Sequence, residues 1–167
     1  MSAETITTAI FLITAVVATA VLVNAIYPVI YSTAGTFQSS THDADTRLRT
    51  DFKIVATFAK SPNVQVWMKN IGSQRISLAE IQKADVFCGE VGNFGRLNYI
   101  DGTPNPGKWT EIFTITTGDL NNNDYWDTGE TLEIYAQPSI MPSSGNLVYF
   151  QFILPNGIWR SNEFTAS

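Results

Sequence analysis

The 167-residue sequence contains one cysteine, Cys88, and one histidine, His42. A single cysteine cannot form a disulfide within the chain, and without a nearby histidine it provides neither a metal site nor a catalytic pair. The sequence also has no CxxC motif, no glycine-rich phosphate loop and no defensible Ser-His-Asp arrangement. We therefore predict that the protein is not an enzyme, that Cys88 is a small buried side chain, and that His42 is solvated.

Basic residues are in the minority, with 10 Lys and Arg against 15 Asp and Glu, which gives a net charge of -5. Nucleic-acid binding requires a basic surface that can contact phosphates, so this balance argues against a nucleic-acid partner. A basic partner or a cation would suit the chain better.

Charge is absent from the segment between Ile6 and Ile30. An apolar run of more than about 20 residues is long enough to cross the hydrocarbon layer of a membrane as a helix. Pro28 should kink or end this helix, and Tyr27 and Tyr31 are suited to a membrane interface. The sequence predicts a hydrophobic transmembrane helix over residues 1–34, which anchors the chain in a membrane.

Small residues recur four apart in this run, at Thr14 and Ala18 and at Ala15 and Thr19. Such spacing lets helices approach closely, so these four residues are candidates for helix self-association and a homo-oligomer or filament. Three alternatives remain open: an anchor without helix contacts, a helix buried in a soluble core, and a cleaved signal, although no basic residue precedes the run.

Residues 35–46 are rich in Ser, Thr and Ala around Gly35, which is typical of a mobile linker. From residue 47 to 167 the pattern changes to short alternating runs such as Phe52 to Ala59 and Val64 to Asn70. About seven such runs are separated by Gly, Pro and Asn, and no amphipathic helix lies among them. We predict an antiparallel β-sandwich of the immunoglobulin-like type.

Inward positions of these strands should form the core, and the four Trp should fill the core and its edges rather than bind carbohydrate. The predicted core residues are Phe52, Ile54, Phe58, Val64, Val66, Phe113, Ile115, Leu132, Ile134, Val148, Phe150, Phe152 and Ile158.

A second candidate site lies between Asp119 and Glu130. If Asp119 is position 1, oxygen ligands fall at positions 3, 5, 7, 9 and 12, where position 7 supplies a backbone carbonyl. These positions are occupied by Asn121, Asn123, Tyr125, Asp127 and Glu130. The spacing predicts a calcium site, although Asp124 occupies the position where a glycine normally makes the sharp turn. The alternative is a turn in which the side chains cap their own backbone and bind no metal.

An apolar N-terminal helix that leads directly into a β-sandwich resembles the archaeal type IV pilin-like superfamily, which includes the archaellins. The opening SAETITTAIFLITAVVATAVLVNAIYPVIYS, the segment THDADTRLRTDFKIVATFA, the turn WMKNIGS and the ending FQFILPNGIWRSNEFTAS resemble, within it, the FlaG (ArlG) family of archaellum accessory proteins. Archaellins carry a basic residue and Gly before the apolar run, and Met1-Ser2-Ala3-Glu4 does not match that pattern. This departure favours the accessory family over a major archaellin.

The resemblance implies a structural component of the archaeal motility apparatus, an accessory or stator protein of the cell envelope. The helix would lie in the membrane or in a helical bundle, and the sandwich would lie outside the cell, near other archaellum or surface-layer proteins. Arg47, Arg49 and Lys53 follow the helix and by the positive-inside rule would favour a cytoplasmic domain. These charges begin about 17 residues beyond the apolar run, where their influence on topology is weak, so we keep the outside location that the resemblance implies. Two other functions stay open: an archaellin or pilin-like filament subunit, and a membrane-anchored module that binds carbohydrate or protein.

Overall fold

The computed structural model describes residues 3–114 and 118–167. The chain divides into two compact units, Met1–Ala44 and Asp45–Ser167. Helix α1 spans Ala3–Arg49 and contains Pro28 in its interior. Proline removes one backbone hydrogen bond, but the helix continues past it.

The predicted end of the helix near residue 34 is corrected by this structure, because residues 35–46 are helical rather than an irregular linker. The Ser and Thr hydroxyls that suggested a linker donate to backbone carbonyls within the helix. Thr36 donates to the Ser32 carbonyl at 2.9 Å, and Thr41 donates to the Phe37 carbonyl at 2.8 Å. These side chains are therefore satisfied without leaving the helix. His42 lies on the helix and is exposed, as predicted.

Strands dominate the second unit. Within the described residues the elements after α1 are β1 Phe52–Lys60, β2 Asn63–Asn70, β3 Ile76–Ser77, α2 Leu78–Ile81, β4 Asp85–Glu90, β5 Asn93–Tyr99, β6 Lys108–Ile112, β7 Tyr125–Trp126, β8 Thr131–Gln137, β9 Leu147–Ile153 and β10 Trp159–Thr165. Helix α2 is a single turn that the sequence analysis did not predict. Ser77 and Glu80 form a capping box that stabilises its start.

The large sheet has the strand order β1-β2-β8-β6-β5-β4-β9-β10. All of its pairs are antiparallel except β5 with β6, which are parallel over a short contact at Asn98 and Tyr99. The ring of Phe52 on β1 lies 5.6 Å from that of Phe152 on β9, although six strand spacings separate these strands along the sheet. Strands in one flat sheet lie about 4.8 Å apart, so the sheet must fold over itself. The result is two four-stranded layers, β1-β2-β8-β6 and β5-β4-β9-β10.

Eight of the predicted core residues are fully buried between the layers: Phe52, Val64, Val66, Leu132, Ile134, Val148, Phe150 and Phe152. Ile54, Phe113 and Ile158 are partly buried against them. Ile115 lies outside the described residues.

The prediction for Phe58 is wrong, because its side chain is 42% exposed. The alternation of β1 is interrupted by a bulge between Ile54 and Ala56. A bulge adds one residue to a strand and so exchanges the inward and outward sides of the residues beyond it. Ala59 is buried in its place.

The four tryptophans divide between the core and the surface. Trp109 and Trp126 are fully buried, which confirms the predicted core role for these two. Trp67 is half-buried and Trp159 is 52% exposed.

Candidate functional site: the apolar helix and the acidic loop

Helix α1 has none of its described residues buried. Its exposed side chains include large apolar groups such as Phe11, Leu12, Val16 and Leu22. It is the one helix among the described residues that is long and apolar enough to cross a membrane by length and composition. A continuous apolar surface of this size is stable only when lipid or other apolar side chains cover it.

The four candidate self-association residues are exposed on this helix. The Thr14 hydroxyl donates to the Ile10 carbonyl and the Thr19 hydroxyl donates to the Ala15 carbonyl, each at 2.8 Å. Because the helix itself satisfies both hydroxyls, Thr14, Ala15, Ala18 and Thr19 present a small, shallow surface to any neighbour. Their role in self-association stays a prediction.

The acidic loop between β6 and β8 contains two buried carboxylates. Asp119 is 3% exposed and Glu130 is 7% exposed. Asp119 accepts hydrogen bonds from the backbone N–H groups of Asn123 and Asp124 at 3.1 and 3.0 Å. Glu130 accepts from the N–H groups of Leu120 and Asp127 at 3.0 and 2.8 Å. The two carboxylates thus hold the loop through its own backbone.

The other predicted ligands join the same network. Asp127 Oδ2 accepts from the amide groups of Asn121 and Asn123 at 2.9 and 2.8 Å, and these bonds lower the pKa of the Asp127 carboxyl. Tyr125, on β7, donates its backbone N–H to Asn123 Oδ1 at 2.9 Å. All six predicted residues therefore lie in one loop whose carboxylates are held by backbone N–H and amide groups.

Asp124 has a φ of 60°, so it adopts the left-handed conformation that a glycine would supply at this position. The loop turns sharply there despite the substitution that argued against a calcium loop. Within residues 3–114 and 118–167, however, no group of three or more His, Cys, Asp or Glu side chains is arranged to hold a metal ion. Calcium binding stays a proposal on the strength of the ligand spacing.

Calcium at this loop should raise the midpoint of thermal unfolding. Binding at a hundredfold excess over Kd contributes about 2.7 kcal/mol, which corresponds to about 10 °C for a domain of this size. We would measure melting curves with millimolar Ca²⁺ and with chelator for the wild type and for Asp119→Asn with Glu130→Gln. The double variant keeps an oxygen acceptor at both positions but removes the charge that calcium needs. No calcium-dependent shift in the wild type would leave only the self-capping turn.

Asn70 has a structural role that the sequence pattern did not indicate, because the pattern showed only that it lies beside a turn. Its side chain is fully buried and donates to the backbone carbonyls of Trp126 at 2.8 Å and Gln74 at 3.0 Å. Its Oδ1 accepts from the Gly72 N–H at 3.0 Å. Asn70 therefore joins the end of β2 to the acidic loop. An asparagine at the end of an alternating strand, immediately before a turn with Gly, was the available signal.

Cys88 on β4 is 2% exposed. Burial raises the pKa of its thiol to about 12, so the reactive thiolate is scarce at neutral pH. The prediction that it is a small buried side chain is confirmed.

The sequence matches the archaeal-type flagellin family over residues 2–164. The chain belongs to this family. A protein of Archaeoglobus fulgidus described as uncharacterized is 30% identical over 172 residues, which cover 98% of each chain. The aligned region includes both the apolar helix and the sheet unit of this chain.

Two solved structures share the fold. The archaellum periplasmic stator protein FlaG of Sulfolobus acidocaldarius has a TM-score of 0.54 and 23% identity, over 69% of this chain and 99% of that chain. The archaeal flagellum of Methanospirillum hungatei strain JF1 has a TM-score of 0.68 and 14% identity, over 97% of this chain and 93% of that chain. The resemblance to archaellin-like proteins inferred from the sequence is confirmed at the level of family and fold.

Proposed function

We propose that the protein is an accessory, stator-type component of the archaellum, with α1 held in the membrane and the β-sheet unit outside the cell. The observation that carries the proposal is the pairing of an apolar helix with no described residue buried and a sheet unit with a complete core of its own. The apolar side chains of the helix must be covered by lipid or by other apolar side chains, whereas the core residues of the sheet unit are already buried. This division supports an anchored or bundled helix that carries a separately folded domain.

The choice of an accessory role is supported by the FlaG comparison. The matched region accounts for 99% of the FlaG chain at 23% identity, against 14% identity for the flagellum of M. hungatei. FlaG of S. acidocaldarius has also been solved in a complex with FlaF. A second protein of the archaellum is accordingly the partner we propose for the sheet unit.

A filament subunit is the second candidate, and a specific observation favours it. The likeness to the M. hungatei flagellum extends over 97% of this chain and so includes α1. In that case, copies of α1 would cover one another in a bundle rather than contact lipid.

Deletion of the gene in the native archaeon distinguishes the two candidates. An accessory protein predicts that filaments still form but do not rotate, as seen by electron microscopy and by motility in liquid medium. Loss of the filament body would replace the accessory role with the filament role. Normal filaments with normal rotation would contradict both. Expression of the wild-type gene from a plasmid is the control and should restore the original behaviour.

Ala18→Phe should weaken association between helices without weakening membrane insertion. The larger side chain keeps the helix apolar but prevents close approach at the small surface formed with Thr14, Ala15 and Thr19. Chemical cross-linking in detergent, together with carbonate extraction of membranes, measures the two properties separately. Ile13→Phe, at an exposed position on the opposite side of the helix, is the matched control. Equal cross-linking of both variants and the wild type would show that these four residues do not form an interface between helices.

A further inference from the structure

The outward side of the first layer is basic in a chain that is acidic as a whole. Alternation along the strands places Lys53 and Lys60 of β1, Lys69 of β2 and Lys108 of β6 on this side. The outward strand positions include one acid, Glu133 of β8. We call the outward side of β1, β2, β8 and β6 the basic face. Its four lysines and one glutamate contrast with the net charge of -5 of the whole chain.

Within the part of the chain that the structure describes, these lysines have no acidic partners. Among residues 3–114 and 118–167, ion pairs are formed by Arg49, Arg96 and Arg160, and by none of the four lysines. On the outward side of the second layer, by contrast, Arg96 pairs with Asp85 at 2.6 Å. The charge of the basic face is therefore available to an external partner.

One pair of these lysines opposes stability. Lys53 of β1 lies directly opposite Lys69 of β2 in the strand register. Like charges at directly opposite positions of a sheet repel and destabilise the pair. The isolated fold gains nothing from this arrangement, whereas an acidic partner would convert the repulsion into attraction.

The centre of the basic face is aromatic. Phe58 and Tyr135 lie in the same cross-strand row, one on each side of Gln65. Trp67 lies one row away, opposite Glu133. Phe58 is 42% exposed, while Trp67 and Tyr135 are half-buried. Trp67 is diagonal to both Phe58 and Tyr135, and diagonal side chains on one sheet face are about 7 to 8 Å apart, so the three aromatic residues cluster around Gln65 and Glu133 with the lysines outside them.

We propose that the basic face binds an acidic protein surface that has an apolar centre. Protein interfaces combine a centre enriched in aromatic side chains with a polar rim, and complementary charges on the rim steer the partner into register. A layer of anionic headgroups or an acidic glycan would satisfy the lysines alone. A protein surface matches the aromatic centre as well as the charge. This inference is independent of the archaellum role, because it concerns binding by the purified chain.

The full-length chain in detergent is titrated with three acidic probes while Trp fluorescence and biolayer interferometry report binding. The first probe is a glutamate-rich copolymer with tyrosine, which offers both charge and aromatic groups. The second is polyglutamate, and the third is glycerophosphoglycerol, the water-soluble headgroup of phosphatidylglycerol. We expect the copolymer to bind about tenfold more tightly than polyglutamate, with an affinity that falls as salt is added.

Lys53→Gln with Lys69→Gln should reduce binding of the copolymer about tenfold. The same double variant should melt at or above the wild-type temperature, because the opposed charges are gone. Arg75→Gln with Lys83→Gln changes the net charge equally but lies outside the basic face, and it should bind as the wild type does. Trp67→Gln should remove the preference for the copolymer over polyglutamate.

Three results would overturn the proposal. One is equal binding by the two double variants, which would assign binding to net charge alone. Another is tighter binding of glycerophosphoglycerol than of the copolymer, which would assign the face to lipid headgroups. The third is a copolymer preference that survives in Trp67→Gln.

Discussion

Replacing Phe152 with alanine is expected to lower the free energy of unfolding of the β-sheet unit by about 3 to 5 kcal/mol. The ring of Phe152 is fully buried and lies 5.6 Å from the ring of Phe52 and 6.2 Å from that of Trp109. These two partners belong to the opposite layer, so the substitution opens a cavity where the layers meet. A single domain is stable by only about 5 to 15 kcal/mol, and the variant should be largely unfolded at moderate temperature.

Phe58→Ala is the matched control for this prediction. It makes the same chemical change on a strand of the same unit, at a side chain that is 42% exposed. We expect a change of less than about 1 kcal/mol, since surface substitutions away from buried contacts are nearly neutral. Urea unfolding followed by fluorescence measures both variants. Equal losses of stability would mean that the inward side of β1 or β9 has been assigned incorrectly.

Removing residues 1–44 is expected to release the rest of the chain as a folded, water-soluble domain that no longer enters membranes or assemblies. The whole described core cluster lies between Phe52 and Ala166, so the shortened chain keeps it intact. The removed segment carries the uncharged apolar run and the four small residues. Membrane fractionation and size-exclusion chromatography should show a complete transfer from the membrane to a soluble fraction.

A second variant separates anchoring from assembly. Replacing residues 6–30 with a leucine segment of equal length preserves hydropathy and removes the small residues. If α1 acts only as an anchor, this chain should assemble as the wild type does. If close helix packing matters, it should stay in the membrane but lose higher-order assembly. Assembly by the shortened chain lacking residues 1–44 would show that the helix acts only as an anchor.

Alternation and apolar runs predicted the fold class because they report directly on burial. The strand β9 shows this clearly, since Val148, Phe150 and Phe152 share one side and all three are fully buried. The apolar run from Ile6 to Ile30 similarly predicted an exposed helix, because no small domain could cover it on every side.

The errors came from features without a periodic pattern. The bulge in β1 exchanged Phe58 and Ala59, and no residue in that strand marks its position. Helix α1 continues to Arg49, and its Ser and Thr hydroxyls donate to backbone carbonyls of the same helix. Composition alone does not distinguish such a helix from a linker.

The candidate site was predicted in part. Spacing alone placed all six predicted ligands in one loop, but it could not show that backbone N–H groups occupy the carboxylates of Asp119 and Glu130. The basic face could not be predicted from the sequence, because the register of four strands, β1, β2, β8 and β6, places Lys53, Lys60, Lys69 and Lys108 on one side.

The most direct test of an archaellum role is to identify the proteins in archaella purified from native cells, after shearing separates filaments from membrane-embedded bases. An accessory component predicts that this chain is found by mass spectrometry with the membrane-embedded bases and is absent from, or minor in, the sheared filaments. A dominant signal in the filaments would make it a subunit. Absence from both fractions, in cells that express the protein, would contradict the assignment to the archaellum.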